Sequence, residues 1–206
     1  HCRTHPAVQL LGNIENTRIK TMPNAYRIFT DQNYAYFVTW TIVDWLPLFS
    51  EACYRQIILD SLEYLRTNKH TQLNAFVVMP THAHAVLWPD HGINLSDVTR
   101  DFKRFTSRAI SAEATRQNAH AIIETFEKAR RENRAQDVSK YQVWQEGSHP
   151  EAIFTEKFAR QKTDYIHMNP VRAELVKTAD EWPYSSARAY MLGEKTYPTT
   201  DILFAK

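Results

Sequence analysis

The chain has 206 residues, 43% of them hydrophobic, 12% aromatic and 23% charged, with a formal charge of +2. That composition excludes disordered, collagenous and coiled-coil chains, and at this length one folded domain builds a core without disulfide staples. Four glycines with no phosphate-cradling loop or dinucleotide fingerprint argue against a nucleotide cofactor, and two cysteines, Cys2 and Cys53, make no disulfide framework and fit a reducing cytosol.

Residues 1–30 are polar and punctuated by Pro6, Gly12, Pro23 and Asn24, and they read as an N-terminal arm. Residues 34–43, dense in aromatic and β-branched side chains, predict a strand that ends around Pro47. Ser50 and Glu51 open a helix on which Cys53, Ile57, Ile58, Leu62 and Leu65 recur at helical spacing until about Asn68. Residues 73–79 and 83–88 predict two more strands, joined by a tight turn at Pro80 and Thr81. From Leu95 to about Arg134 the pattern predicts two helices parted near Asn118. The second is expected to be an exposed, charged insertion within 112–140 that carries Lys128, Arg130, Arg131 and Arg134. Residues 141–144 predict a short strand, residues 151–169 a helix ended by Pro170, and the chain after Trp182 shows no clear period. This order predicts an α+β sandwich of helices over a mainly antiparallel sheet. It is organised as a domain over 31–190 with a tail over 191–206.

Two constellations carry chemistry. On a strand, alternate residues share a face, so in Met79-Pro80-Thr81-His82-Ala83-His84 the two imidazoles project together while Ala83 faces away. A pair of imidazoles at that spacing can share a divalent metal, although two strand histidines facing solvent give the same pattern. In Tyr165-Ile166-His167-Met168-Asn169-Pro170-Val171-Arg172, Tyr165 and Asn169 lie one helical turn apart on one face. That spacing alone also suits a half-buried tyrosine and an ordinary helix end. Taken together, two histidines, an amide oxygen and a phenol around one hard cation suit covalent phosphodiester cleavage.

The two motifs resemble the HUH superfamily of single-strand DNA endonucleases, and more narrowly the REP-associated tyrosine transposases among single-tyrosine transposases. The resemblance runs from about Tyr34 to Ser186. It is carried by Pro47-Leu48-Phe49, by the histidine pair, by Val143-Trp144-Gln145-Glu146-Gly147, by Tyr165 to Ala173 and by Trp182-Pro183-Tyr184-Ser185-Ser186. It implies a ferredoxin-like HUH domain in which His82, His84 and Asn169 hold Mg²⁺ or Mn²⁺ and Tyr165 attacks the scissile phosphate. It further implies a REP-like DNA hairpin as substrate, a 5′-phosphotyrosine intermediate, and action as a monomer or homodimer. Two departures stand out: Ala83 is smaller than the usual hydrophobic residue between the histidines, and Glu174 replaces a common glycine.

With so small a net charge, a nucleic-acid surface must be a local patch. Arg100, Arg104 and Arg108 recur every four residues with Lys103 beside them, and with Arg172 they are the candidate DNA contacts; a solvated helix face is the alternative. Tyr141, Trp144 and Trp182 could stack bases or simply fill the core. Two further functions compete with cleavage: a domesticated protein that binds hairpin DNA without cutting, and a phosphohydrolase that uses water at the same histidines. No apolar run approaches the roughly 18 residues of a membrane span, and the start, which opens on His1 rather than Met, resembles no signal or transit peptide. A cytoplasmic, nucleoid-associated bacterial protein is expected.

Overall fold

The computed structural model describes residues 34–132, 140–147 and 149–203. The expected arm over residues 1–30 lies outside the described residues, as do 133–139 of the insertion. Four strands, β1 (Ala35–Thr41), β2 (Thr71–Val78), β3 (His82–Pro89) and β4 (Glu151–Ile153), form one sheet in the order β2-β3-β1-β4, and every pairing is antiparallel. The helices are α1 (Ala52–Asn68), α2 (Leu95–Arg116), α3 (His120–Glu132), α4 (Glu156–Arg172) and α5 (Ala187–Leu192). The α+β class and mainly antiparallel sheet expected from the sequence are observed. The central strand order is that of a ferredoxin-like fold, with β1 and β3 inside.

The two-residue alternation of β1, continued at Ile42 just after it, divides the side chains between two apolar layers. Tyr36, Val38, Trp40 and Ile42 join Ile58, Leu62, Phe102 and Ile110 of α1 and α2 on one face, while Ala35 and Phe37 meet Ala159 and Ile166 of α4 on the other. On β3, Ala83, Ala85 and Leu87 enter the α1/α2 layer, so His82 and His84 are turned to the α4 side. Ala83 lies directly opposite Trp40 in the strand register, and the indole stacks on Phe102 at 4.2 Å. The large ring therefore takes the space that a larger residue at position 83 would need.

Four expectations need correction. Residues 141–144 make no strand: Trp144 forms only an isolated bridge to Ile42, and the fourth strand is Glu151–Ile153, which the sequence pattern had assigned to a helix. Both segments lie along the same edge of β1, the short strand opposite its start and the bridge opposite its end. The following helix begins at Glu156, because the Thr155 side chain accepts a bond from the Phe158 amide and caps it. Pro170 does not end α4, which runs to Arg172: proline's fixed φ is helical, and in the last turn it removes one bond only. Nor is α3 wholly exposed. Phe126 is fully buried, and Ile122, Ile123 and Ala129 pack against the core as an apolar stripe, with Ala119 just before the helix joining them.

The end of the chain covers the free edge of β2. Val78 N–H donates to Tyr184 O, Ser186 N–H to Phe76 O, and Asp201 N–H to Leu73 O, so the outer strand is not left open. The expected tail thus begins within α5, which spans 187–192, and returns to the sheet at Asp201.

Candidate active site

The histidine pair sits at the start of β3, with His82 and His84 in register with Thr41 and Thr39 of β1. Their ring centroids are 4.7 Å apart and nearly perpendicular. Each ring has a threonine hydroxyl against Nδ1: Thr39 Oγ1 at 2.8 Å from His84 and Thr81 Oγ1 at 2.9 Å from His82. Donation of Nδ1–H to the hydroxyl directs an Nε2 lone pair into the site, the arrangement common among metal-bound histidines. His84 is only 5% exposed, and its Nε2 is buried without a hydrogen-bond partner. An orphaned buried nitrogen is costly unless a ligand completes it. Burial pushes His84 down to about 3, with His82 and Lys162 adding to the effect, and burial also lowers His82. Both imidazoles are therefore neutral near pH 7, as metal ligands must be.

Helix α4 crosses the open side of this pair. Lys162, Tyr165, Asn169 and Arg172, spaced by three, four and three residues, form one stripe on the helix. The Tyr165 ring lies 5.3 Å from His84 and 5.8 Å from Phe37, edge-on to both, and the residue remains 38% exposed. Phe37 is the floor of the site, stacked on His84 at 5.2 Å. Above Phe37, at 4.4 Å, is the Lys162 ammonium, which is also paired with Glu151 at 2.8 Å. The Arg172 guanidinium lies 5.3 Å from the centre of the Tyr165 ring. Asn169 is half-buried one turn beyond Tyr165. Among the described residues no group of three or more His, Cys, Asp or Glu could hold a metal. An ion between the histidines would draw its third protein ligand from an amide or hydroxyl, and Asn169 is the amide on the facing stripe.

The structure thus gathers His82, His84, Tyr165 and Arg172 at one place, and it puts the basic edge of α2 elsewhere. Arg100, Lys103, Arg104 and Arg108 line a groove of about 1020 Å³ between α2 and residues 141–146, on the sheet face opposite the histidines. Arg100 is paired with Asp97 at 2.6 Å, and Lys103, its pKa lowered by burial, donates to Gln145 O at 3.3 Å. The groove approaches the site around the sheet edge, where Gln145 N–H donates to Thr41 O beside His82. Two stacking candidates are structural: Trp144 is buried with its indole N–H on Thr106, and Trp182 donates to Val78 O. Tyr141 lines the groove.

Sequence reasoning missed Lys162, Thr39, Thr81 and Trp45, whose ring stands 5.9 Å from His82. Lys162 had a signal, because it precedes Tyr165 by three residues on a helix already expected. Thr39 had none, since its role depends on cross-strand register.

No protein-family model matches the chain. The REP-associated tyrosine transposase of Escherichia coli strain K12 is 23% identical over 133 residues, which span 64% of this chain and 63% of that protein, less than two thirds of its length. Among solved structures, a REP-associated tyrosine transposase bound to a REP hairpin matches with a TM-score of 0.59 at 20% identity, covering 88% of this chain and 90% of that one. At that identity the likeness shows a shared fold.

Proposed function

Taking the chain as a relative of the REP-associated tyrosine transposases, we propose that it is a metal-dependent endonuclease and strand-transfer enzyme for single-stranded DNA hairpins of the REP type. One observation carries the reading: an exposed phenol lies edge-on to an imidazole whose Nε2 is buried and unbonded. The names of the sequence relative and of the solved neighbour support a transposase acting on hairpin DNA. His82, His84 and the Asn169 amide oxygen would hold Mg²⁺ or Mn²⁺. Such an ion polarises a non-bridging phosphate oxygen and offsets charge developing on phosphorus.

Tyr165 Oη attacks the scissile phosphorus and gives its proton to solvent as the new O–P bond forms; the bond from phosphorus to the 3′ oxygen of the preceding nucleotide breaks, and that oxygen takes up a proton from solvent. The products are a free 3′-OH and a 5′-phosphotyrosine. Attack by another 3′-OH reverses the step, so the energy of the phosphodiester is conserved and no ATP is needed. Arg172, beside the Tyr165 ring, offers its guanidinium to the phosphate at the moment of attack. A reaction of this kind needs access to the chromosome and carries with it a cytoplasmic, nucleoid-associated location.

The deciding experiment incubates the protein with end-labelled hairpin DNA and Mn²⁺ and runs a denaturing protein gel. Wild type should give a shifted covalent band. Tyr165→Phe, which keeps the ring and loses the hydroxyl, should bind the hairpin and give none, because water lacking in-line placement reacts orders of magnitude more slowly. His82→Ala should stay folded and lose cleavage. A covalent band in the phenylalanine variant would make another residue the nucleophile, and wild-type cutting by His82→Ala would remove the metal pair.

A further inference from the structure

We infer that Trp45 is a stacking platform for an unpaired base next to the scissile phosphate, an inference that rests on the proposed single-strand reading of the site. Residues 43–46 form a tight turn directly after β1, closed by Leu46 N–H donating to Val43 O at 3.2 Å. Its two central residues, Asp44 and Trp45, have φ of +54° and +52°. Such a turn strongly prefers glycine at its second centre, because only glycine adopts left-handed backbone without a Cβ penalty. A tryptophan there is a conformational outlier, and outliers of this kind persist only where the surroundings fix them.

The surroundings do so. Val43 is buried and its N–H donates to Val143 O, Trp45 N–H donates to Ile42 O, and α3 packs against the turn. What this backbone holds up is not core. Trp45 is 59% exposed, among the most exposed large apolar residues described, and its ring meets His82 edge-on at 5.9 Å. A burial role would place the indole inside, and a turn role would be better served by glycine. Neither accounts for a strained, exposed indole at the mouth of a phosphate-handling site. Stacking of a base does, since every base offers a π-face and needs no hydrogen-bond partner. Position follows from geometry: a base reaching Trp45 belongs to a nucleotide adjoining the phosphate beside His82.

The test uses full-length protein in EDTA, so that binding is read without cleavage, and a REP-type DNA hairpin with single-stranded flanks. 2-Aminopurine is walked through each flank position. Wild type should quench its fluorescence at one position. Trp45→Gly should abolish that quenching and weaken affinity about ten-fold or more, while its melting temperature is unchanged or higher because the strain is relieved. Trp45→Phe should restore most of the affinity. Equal quenching and affinity in Trp45→Gly would overturn the inference. A fall in its melting temperature that accounts for the lost binding would overturn it too, by making the indole structural. Hairpin binding by wild type here, with no covalent adduct in the separate Mn²⁺ gel assay, sinks the cleavage reading but leaves this contrast to be read. Absence of any hairpin binding by wild type overturns both.

Discussion

Glu174 closes α4 in the left-handed region, at φ +56°. Leu175 N–H donates to Pro170 O and Glu174 N–H to Val171 O, the paired bonds of a Schellman end. The backbone there keeps the geometry that glycine adopts freely, so the departure at this position alters strain rather than shape. Glu174→Gly should therefore stabilise the protein by about 1 kcal/mol, raising the melting temperature by about 3 °C. Thermal unfolding of the two proteins checks this, and a lower melting temperature in the variant would mean that the Glu174 side chain makes a stabilising contact. At this scale much of the candidate site was legible: a His-x-His pair on a strand and a tyrosine and asparagine one turn apart need only the two periodicities. The other residues of the same motifs were not. His167 is 3% exposed, its Nε2 lies 2.8 Å from Ser186 Oγ, and that hydroxyl also accepts from Phe76 N–H. Two of the strings that carry the resemblance are thus joined by one hydrogen bond, a relation that no spacing within either string can reveal.

Among the elements, α2 is the one whose function the sequence left open. Its basic edge lines the groove that reaches the sheet edge beside His82, and its acidic residues Asp97 and Asp101 temper that edge at the Arg100 end. If a phosphate backbone follows the groove, Arg104→Glu should weaken hairpin binding and lower the slope of log affinity against log salt by about 1 or more. Titrations at several salt concentrations measure it, and an unchanged slope would leave the α2 edge as a solvated face. Strands β1 to β3 and helices α1 and α2 were read to within a few residues because their periodicity is long and clean. Shorter elements were misread for identifiable reasons. A three-residue strand at Glu151–Ile153 has no period of its own, and it exists because β1 offers an open edge. The cap at Thr155 was the available signal for the true helix start. Burial of α3 was hidden because the charges of Lys128, Arg130 and Arg131 obscure the stripe through Phe126.

For the molecule as a whole, the sheet and α4 enclose His84 and His167, and burial lowers their pKa values to about 3 and about 4. In the unfolded chain both titrate near 6.5. The sign follows from proton binding: below pH 6.5 the unfolded state takes up protons that the folded state refuses, so stability falls as pH falls. Above that pH both states are neutral there and the effect is absent. The loss begins near 6.5 and continues until each folded pKa is passed. Carboxylates stay ionised in folded and unfolded chains down to about pH 5, which leaves the interval from 7 to 5 to the histidines. At pH 5 each of the two buried rings should have removed about 2 kcal/mol, a large share of the 5–15 kcal/mol typical of a domain. Urea unfolding in EDTA at pH 7.5, 6 and 5 should show the midpoint dropping over this range. His167→Gln, which removes one proton-linked ring, should flatten that dependence by the share of one ring, about 2 kcal/mol at pH 5, with His84 and His82, which burial also lowers, carrying the rest. A midpoint constant from pH 7.5 to 5 in the wild type would mean that the interface between α4 and the sheet admits a protonated imidazole, and that the two rings are less enclosed than their burial indicates.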